Sequence, residues 1–332
     1  MLDREHTKPL PNAYWGKEPS YIKHELLKAY LKKRIGSRAT FSALSATNRR
    51  RKGPEPRRAE ETQDEVLALR ERRRAPSARE PPMSTQSRIE WTEVTWNPTV
   101  GCTKISPGCK NCYAETMAKR LQAMGMRGYE NGFRLTLMPG RLAEPLSRRQ
   151  PTVYFVNSMS DLFHEKVPFD YVRQVFAVMA RAPQHTFQVL TKRAERMAEF
   201  CRGVAVPPNV WVGVSVESRK YGLPRIPVLR GIDAQVRFLS IEPLLEDLGR
   251  FELTGIHWVI VGGESGRKAR PMKSEWVDAI KRQCDEARVA FFFKQWGAWG
   301  ADGEKRSKTA NGRKYRGRVW DAMPSLTQPT IT

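Results

Sequence analysis

Three of the chain's five cysteines, Cys102, Cys109 and Cys112, lie within eleven consecutive residues. Their C-x6-C-x2-C spacing leads into a segment with a helical pattern. The last thiol is therefore expected near a helix N-terminus, where the partial positive charge favours a thiolate. Thiolates bind zinc and iron, so three of them in one short segment predict a metal site.

Two kinds of metal site are compatible with this spacing. A structural zinc ion takes four ligands, so His164, Cys201 or Cys284 would have to supply the fourth from far along the chain. A four-iron cluster usually takes four thiolates, and three leave one iron open to a substrate or cofactor. The absence of a second C-x-x-C or H-x-x-x-H half-site nearby favours the cluster, with zinc as the alternative.

The elements that must position these thiols alternate between short β-branched runs and helical stretches from residue 83 onward, which is the pattern of βαβ units. Near-continuous apolar strands are typical of a parallel sheet buried on both faces. We predict an α/β fold, a partial or full (β/α) TIM-like barrel of about six to seven parallel strands, in preference to an open doubly wound sheet. The predicted strands are 152–161, 186–193, 210–218, 235–243, 257–266 and 290–297, and the predicted helices 112–124, 168–181, 193–201 and 274–287.

Polar residues follow several predicted strands at their carboxyl ends, where such barrels build their sites. Lys192 and Lys294 suit a phosphate or carboxylate, although pairing with neighbouring glutamates is the alternative. Gly262 and Gly263 allow a ligand to approach the backbone closely, and Glu264 follows them; a tight turn is the alternative.

The stretch WNPTVGCTKISPGCKNCYAE, residues 96–115, resembles the cluster loop of radical S-adenosylmethionine enzymes, and in particular their spore photoproduct lyase-like branch. Asn97-Pro98, Gly101-Cys102, Gly108-Cys109 and Cys112-Tyr113-Ala114 occur there in the same order. Residues 86–324, with NSMSDLFHE, SIEPLL and VGGESG, also resemble a phage-encoded family of unassigned function.

The resemblance implies that Cys102, Cys109 and Cys112 hold a [4Fe-4S] cluster whose fourth iron binds S-adenosyl-L-methionine. An electron donor would drive its reductive cleavage to a 5′-deoxyadenosyl radical, while the barrel orients the cofactor. The positions assigned to the cofactor are Tyr113, Ser158, Ser160, Ser215, Glu217, Gly262, Gly263 and Glu264, and those assigned to catalysis are Asp161, Lys192 and Lys294.

Two features depart from the usual cluster loop of these enzymes. The first two cysteines are separated by six residues, Thr103 to Gly108, where three are usual, so the loop must bulge. Asn111 takes the place of the aromatic residue that usually precedes the last cysteine and packs near the adenine.

The net charge of +23 favours a polyanionic partner. We predict a nucleic acid base or a nucleotide-like molecule as substrate, with a protein or peptide substrate as the alternative. From another functional class, a zinc-stabilised nucleic-acid-binding protein without catalysis is the rival hypothesis. The chain has no run of eighteen apolar residues, which predicts a cytoplasmic protein without a membrane span; its oligomeric state is left open.

The chain is predicted to contain three regions. Residues 1–82 read as a basic, largely disordered extension, either a nucleic-acid-seeking arm or an artefact of a start site that truly lies at Met83. Residues 83–303 form the predicted barrel. Residues 304–332 are a basic tail, predicted either to contact a polyanion or to be a solvated extension.

Overall fold

The computed structural model divides the chain into two units, Met1–Pro76 and Ser77–Thr332. It describes Ser87 and residues 89–324, so the predictions made for residues 1–82 and the end of the tail lie outside the described residues. The strands are β1 (Val94–Trp96), β2 (Thr99–Val100), β3 (Thr136–Leu137), β4 (Val153–Val156), β5 (Thr186–Thr191), β6 (Val210–Ser215), β7 (Arg237–Ile241), β8 (Trp258–Gly262) and β9 (Ala290–Gln295). The α-helices are α1 (Tyr113–Ala123), α2 (Phe169–Ala180), α3 (Ala194–Gly203), α4 (Arg225–Arg230), α5 (Ser274–Glu286) and α6 (Lys308–Asn311).

Seven parallel strands form one sheet in which spatial order follows chain order, β1, β4, β5, β6, β7, β8 and β9. β1 and β9 are the two ends of that order, so the sheet is a half-barrel rather than a closed barrel. The predicted α/β fold is confirmed in its partial form. β2 and β3 make a separate antiparallel pair that carries the backbone into the cysteine segment.

The strands bury both faces, because successive side chains point to opposite sides of the sheet. Outward-facing residues such as Phe187, Val212 and Leu239 pack with the helices in the larger core. Inward-facing residues form a second, largely aromatic cluster of Trp91, Phe155, Trp211, Val236, Phe238, Trp258, Ile260 and Phe292. This cluster is the floor of the half-barrel, and it leaves the carboxyl ends of the strands for polar residues.

The segment after β9 folds back along that edge strand. Asp321 forms an antiparallel bridge with Phe292, and the indole nitrogen of Trp258 donates to Ala322 O over 2.8 Å. Cations hold the segment in place, since Lys308 pairs with Glu90 at 2.8 Å and the guanidinium of Arg318 lies 3.5 Å from the centre of the Trp320 ring. The segment therefore covers the exposed edge of the sheet.

Among the described residues, no helix combines the length and the apolar character needed to cross a membrane.

Candidate functional site

The three clustered cysteines line one cavity at the carboxyl ends of β4, β5 and β6. They reach it from different local structures: Cys102 follows β2, Cys109 ends a 3₁₀ turn, and Cys112 is the N-cap residue of α1. Nine residues assigned from the sequence share this cavity: Cys102, Cys109, Cys112, Tyr113, Ser158, Ser160, Asp161, Lys192 and Ser215. The lining does not include Glu217, Gly262, Gly263, Glu264 or Lys294.

The sulfurs face a shared space without converging on a single point. In the described part of the chain, no three His, Cys, Asp or Glu side chains are placed to hold one metal ion. Burial raises the pKa of the Cys102 thiol to about 11, with Asp161 adding to the rise and Arg193 opposing it. The proposed zinc partners Cys201 and Cys284 pack against the main core instead of lining the cavity.

Asp161 is a buried carboxylate that fixes the turn after β5. Its oxygens accept hydrogen bonds from the Phe163 amide at 3.0 Å, the Thr191 hydroxyl at 2.7 Å, the Lys192 amide at 3.1 Å and Arg193 Nη1 at 3.1 Å. Four donors on its two oxygens hold this carboxylate in a fixed position. Its catalytic assignment stays a prediction, and its contacts are those of a residue that positions Arg193.

Arg193 connects Asp161 to the cysteine segment. Its Nη1 donates to Cys102 Sγ over 3.6 Å, its Nη2 to Thr103 Oγ1 over 2.9 Å, and its Nε to Glu165 over 2.9 Å. Burial alone would lower the pKa of Arg193, but Asp161 and Cys102 raise it overall, so the guanidinium is charged. The contact joins residues 91 positions apart, so nothing in the local sequence pattern predicts it.

Glu217 lies directly beneath the cysteine loop. Its fully buried carboxylate accepts from Arg225 Nη1 at 2.7 Å, and the same nitrogen donates to Ser215 O at 2.7 Å. A Cβ at Gly108 would lie 2.9 Å from Glu217 Cγ, so only glycine leaves room for this approach. Burial would raise the pKa of Glu217, but Lys192 and Arg225 lower it overall.

Glu264 holds the other side of the same loop. Its carboxylate accepts two hydrogen bonds from the Arg270 guanidinium, at 2.5 and 2.9 Å, and one from Asn111 Nδ2 at 3.0 Å. Arg270 also donates to Pro107 O over 3.0 Å, and Asn111 to Lys268 O over 2.9 Å. The Gly-Gly-Glu sequence thus anchors the cysteine loop to the end of β8.

These contacts explain both departures from the usual cluster loop. The six residues between Cys102 and Cys109 allow the loop to reach from β2 to Glu217 beyond β6 and to Arg270 beyond β8. The side-chain amide of Asn111 donates a hydrogen bond to Glu264, and the usual aromatic residue would not provide this amide donor. The polar character of Asn111 was the sequence signal for this anchoring.

The remaining assigned residues differ in how free their polar groups are. The Lys192 ammonium lines the cavity; among residues 89–324 it has no ion-pair or hydrogen-bond partner at contact distance, but its charge lowers the pKa of Glu217. Lys294 pairs with Glu242 at 3.1 Å, as the alternative interpretation predicted. The hydroxyls of Ser158 and Ser160 donate to Asn97 Oδ1 and Thr99 O, and Tyr113 donates its hydroxyl to Ser158 O.

A second cleft of about 680 Å³ lies against the same loop and is lined by Cys102, Thr103, Phe133, Arg134, Leu135, Leu137, His164 and Lys166. Cys102, Thr103 and Phe133 belong to the lining of both spaces. The volume is within the range of small-molecule sites. The first cysteine therefore contacts both the inner cavity and an open, cation-bearing cleft.

Gly101 is needed for the backbone to enter the cysteine loop. It has φ +79°, and a Cβ there would lie 2.2 Å from the carbonyl oxygen of Arg134. We expect Gly101→Ala to lower the free energy of unfolding by about 3 kcal/mol or more, because backbone strain and a clash with backbone add. Gly125→Ala is the matched control: Gly125 has φ +65° with open space around it, so strain alone costs about 1 kcal/mol. Equal losses in chemical denaturation would contradict the argument from the close approach.

Comparison with known proteins gives one family and a set of distant structures. A family model described as a protein of unknown function (DUF5131) matches residues 86–324. A search of curated proteins found no match. The solved structures include a spore photoproduct lyase point mutant (TM-score 0.44, 9% identity, covering 66% of this chain and 80% of that chain). They also include spore photoproduct lyase complexed with dinucleoside spore photoproduct (TM-score 0.40, 10% identity, covering 64% and 66%).

Proposed function

The chain belongs to the DUF5131 family of proteins of unknown function, and we propose that this member is a radical S-adenosylmethionine enzyme carrying a [4Fe-4S] cluster on Cys102, Cys109 and Cys112. One observation carries the proposal: three thiols from separate local structures line one cavity at the active edge of a parallel half-barrel. Thiolates are the ligands of such clusters, so the donor set fits the group. When bound, the cluster supplies the electron for reductive cleavage of S-adenosyl-L-methionine.

The protein's own residues position the cysteine loop and enclose the cofactor cavity. Glu217 and Glu264 hold the cysteine loop across the ends of β6 and β8, which keeps Cys109 and Cys112 at the cavity. The aromatic cluster that includes Trp211 and Trp258 fills the inside of the half-barrel. A cavity lined by polar residues on such a base can orient a reactive cofactor and limit its side reactions.

Lys192 supports an anionic ligand, either the carboxylate of the cofactor or a phosphate of the substrate. Its ammonium lines the cavity and acts on Glu217 through its charge without a close ion pair among the described residues, whereas Arg193 is engaged by Asp161 and Glu165. Together with the net charge of +23, this favours a nucleic acid base or nucleotide-like substrate.

Removing the charge of Lys192 tests this role. We expect Lys192→Met to weaken binding of S-adenosyl-L-methionine to the reconstituted protein by roughly 10- to 100-fold, since a hydrogen bond to a charged group contributes about 1.5–3 kcal/mol. Lys220→Met, at an exposed site, is the control and should bind as wild type does. Unchanged cofactor affinity, together with unchanged affinity for a mononucleotide, would remove Lys192 from the binding site.

The proposal itself is tested by anaerobic reconstitution of the full chain with iron and sulfide. We expect about four iron and four sulfide per chain, broad visible absorbance, and release of 5′-deoxyadenosine and methionine after reduction in the presence of S-adenosyl-L-methionine. Stoichiometric zinc that blocks iron uptake would overturn the cluster and favour the zinc-stabilised binding protein. A stable cluster without cofactor cleavage would overturn the enzymatic step alone.

A further inference from the structure

We propose that Arg193 is a positioning residue that sets the reduction potential of the cluster through the sulfur of Cys102. The inference rests on the proposed function, because it assumes that Cys102 is a cluster ligand. Arg193 lies outside the cysteine loop, and cluster binding by itself does not determine the reduction potential.

Arg193 is in direct contact with Cys102. Arg193 is only 8% exposed, and its Nη1 donates to Cys102 Sγ over 3.6 Å. Its Nη2 donates to Thr103 Oγ1 over 2.9 Å, so the same guanidinium fixes the residue that follows the cysteine. The sulfur of Cys102 therefore has a buried cationic donor that comes from outside the cysteine loop.

The Arg193 guanidinium has little freedom to turn away from Cys102. Asp161 holds Nη1 at 3.1 Å and is itself fixed by two amides and the Thr191 hydroxyl. Glu165 holds Nε at 2.9 Å from the other side. Hydrogen-bonded carboxylates on two sides of a planar fork fix its orientation as well as its position.

The three cysteine sulfurs differ in the charge of their hydrogen-bond partners. The hydrogen-bond partner of Cys109 Sγ is the neutral Ser106 hydroxyl, at 3.7 Å. Lys104 is largely exposed and pairs with Glu115 at 2.7 Å instead of donating to a sulfur. Within residues 89–324, Cys102 is therefore the one cluster thiol that receives a hydrogen bond from a cation.

The positive charge of Arg193 affects the reduction potential of the cluster. Reduction adds one negative charge to the cluster, and a buried cation that donates to a ligand sulfur stabilises the reduced form more than the oxidised form. Such hydrogen bonds are among the features that tune potentials in these sites. Arg193 should therefore raise the potential and make the cluster easier to reduce.

The test is a redox titration of reconstituted protein, followed by the electron paramagnetic resonance signal of the reduced cluster. Arg193→Gln should lower the midpoint potential by at least about 59 mV, a tenfold fall in the reduced-to-oxidised ratio at fixed potential. Arg193→Lys, which keeps the charge, should lie closer to wild type. Arg237→Gln is the control, because the Arg237 guanidinium, on the first residue of β7, donates to the carbonyls of Ile232, Ala234 and Gly255 and does not line the cavity.

A second variant keeps the test decisive if Arg193→Gln does not fold. Glu165→Gln removes an exposed counter-charge from Arg193 and should raise the potential. Unchanged potentials in Arg193→Gln, or in Glu165→Gln when the first variant is lost, overturn the inference while leaving the cluster in place. A wild-type protein that binds no iron–sulfur cluster would instead overturn the proposed function, so the two failures are distinct.

Discussion

Cys109→Ala should abolish [4Fe-4S] assembly and reduce cleavage of S-adenosyl-L-methionine to background, while the half-barrel stays folded. Cys109 ends the 3₁₀ turn that lines the cavity, and a cluster with two protein thiolates is left without adequate ligation. The residue is only partly buried and lies in a loop, so the free energy of unfolding of the metal-free protein should change by less than about 1 kcal/mol.

Cys201→Ala is the matched control for this variant. Cys201 is also a partly buried free cysteine, but it lies on α3 against the core and away from the cavity. Iron and sulfide content, visible absorbance and denaturation of both variants give the comparison. Full iron uptake by Cys109→Ala would contradict the ligand assignment. Loss of the folded structure together with the metal would instead indicate a structural metal site.

Glu217→Gln should be strongly destabilising, because it leaves the buried charge of Arg225 without its partner. Breaking one side of a buried ion pair typically costs about 3–5 kcal/mol, which is a large part of the stability of a domain. The side chains of Glu217 and Arg225 are 0% and 6% exposed, so water offers little compensation. Urea denaturation of the metal-free protein measures the loss.

The double variant Glu217→Met with Arg225→Met separates two roles for the pair. If the role is structural, the double variant should be less destabilised than the sum of the single variants, since neither charge is then left alone. If Glu217 instead contacts the cofactor, as its sequence assignment states, Glu217→Gln should keep its stability and lose affinity for S-adenosyl-L-methionine. The two measurements together decide between these roles.

The sequence predicted the sheet well because each strand carries its own local signal. Apolar runs such as Val210–Ser215 and Trp258–Gly262 end in polar residues, and the helices at Phe169–Ala180 and Ser274–Glu286 lie within or very near their predicted ranges. The three-residue strand Val94–Trp96 was missed because its length gives no measurable periodicity. Whether the sheet closes depends on contacts between distant strands, so the sequence alone did not distinguish a half-barrel from a closed barrel.

The meeting of the three cysteines at one cavity could be predicted from their spacing, whereas their role as metal ligands stays a prediction. Three cysteines in eleven positions are typical of a metal site, and the structure brings all three to one cavity. The glutamates were harder, because the same carboxylate can bind a ligand or an arginine. Only the fold shows that Arg270 lies beside Glu264 and that Arg225 lies beside Glu217. The partners of Glu217 and Glu264 depend on which helices and loops cross the strand ends, and no short stretch of the sequence encodes that arrangement.

The anchoring of the cysteine loop also sets an order of events during synthesis. Asn111 and its acceptor Glu264 are 153 residues apart along the chain. At ordinary translation speeds of about 5–20 residues per second, the thiols leave the ribosome roughly 8 to 30 s before the carboxylate that fixes their loop exists. During that interval the cysteines are open to oxidation and to competing metals. Under the proposed function, iron loading is therefore expected to be a late step of maturation, after β8 has joined the sheet.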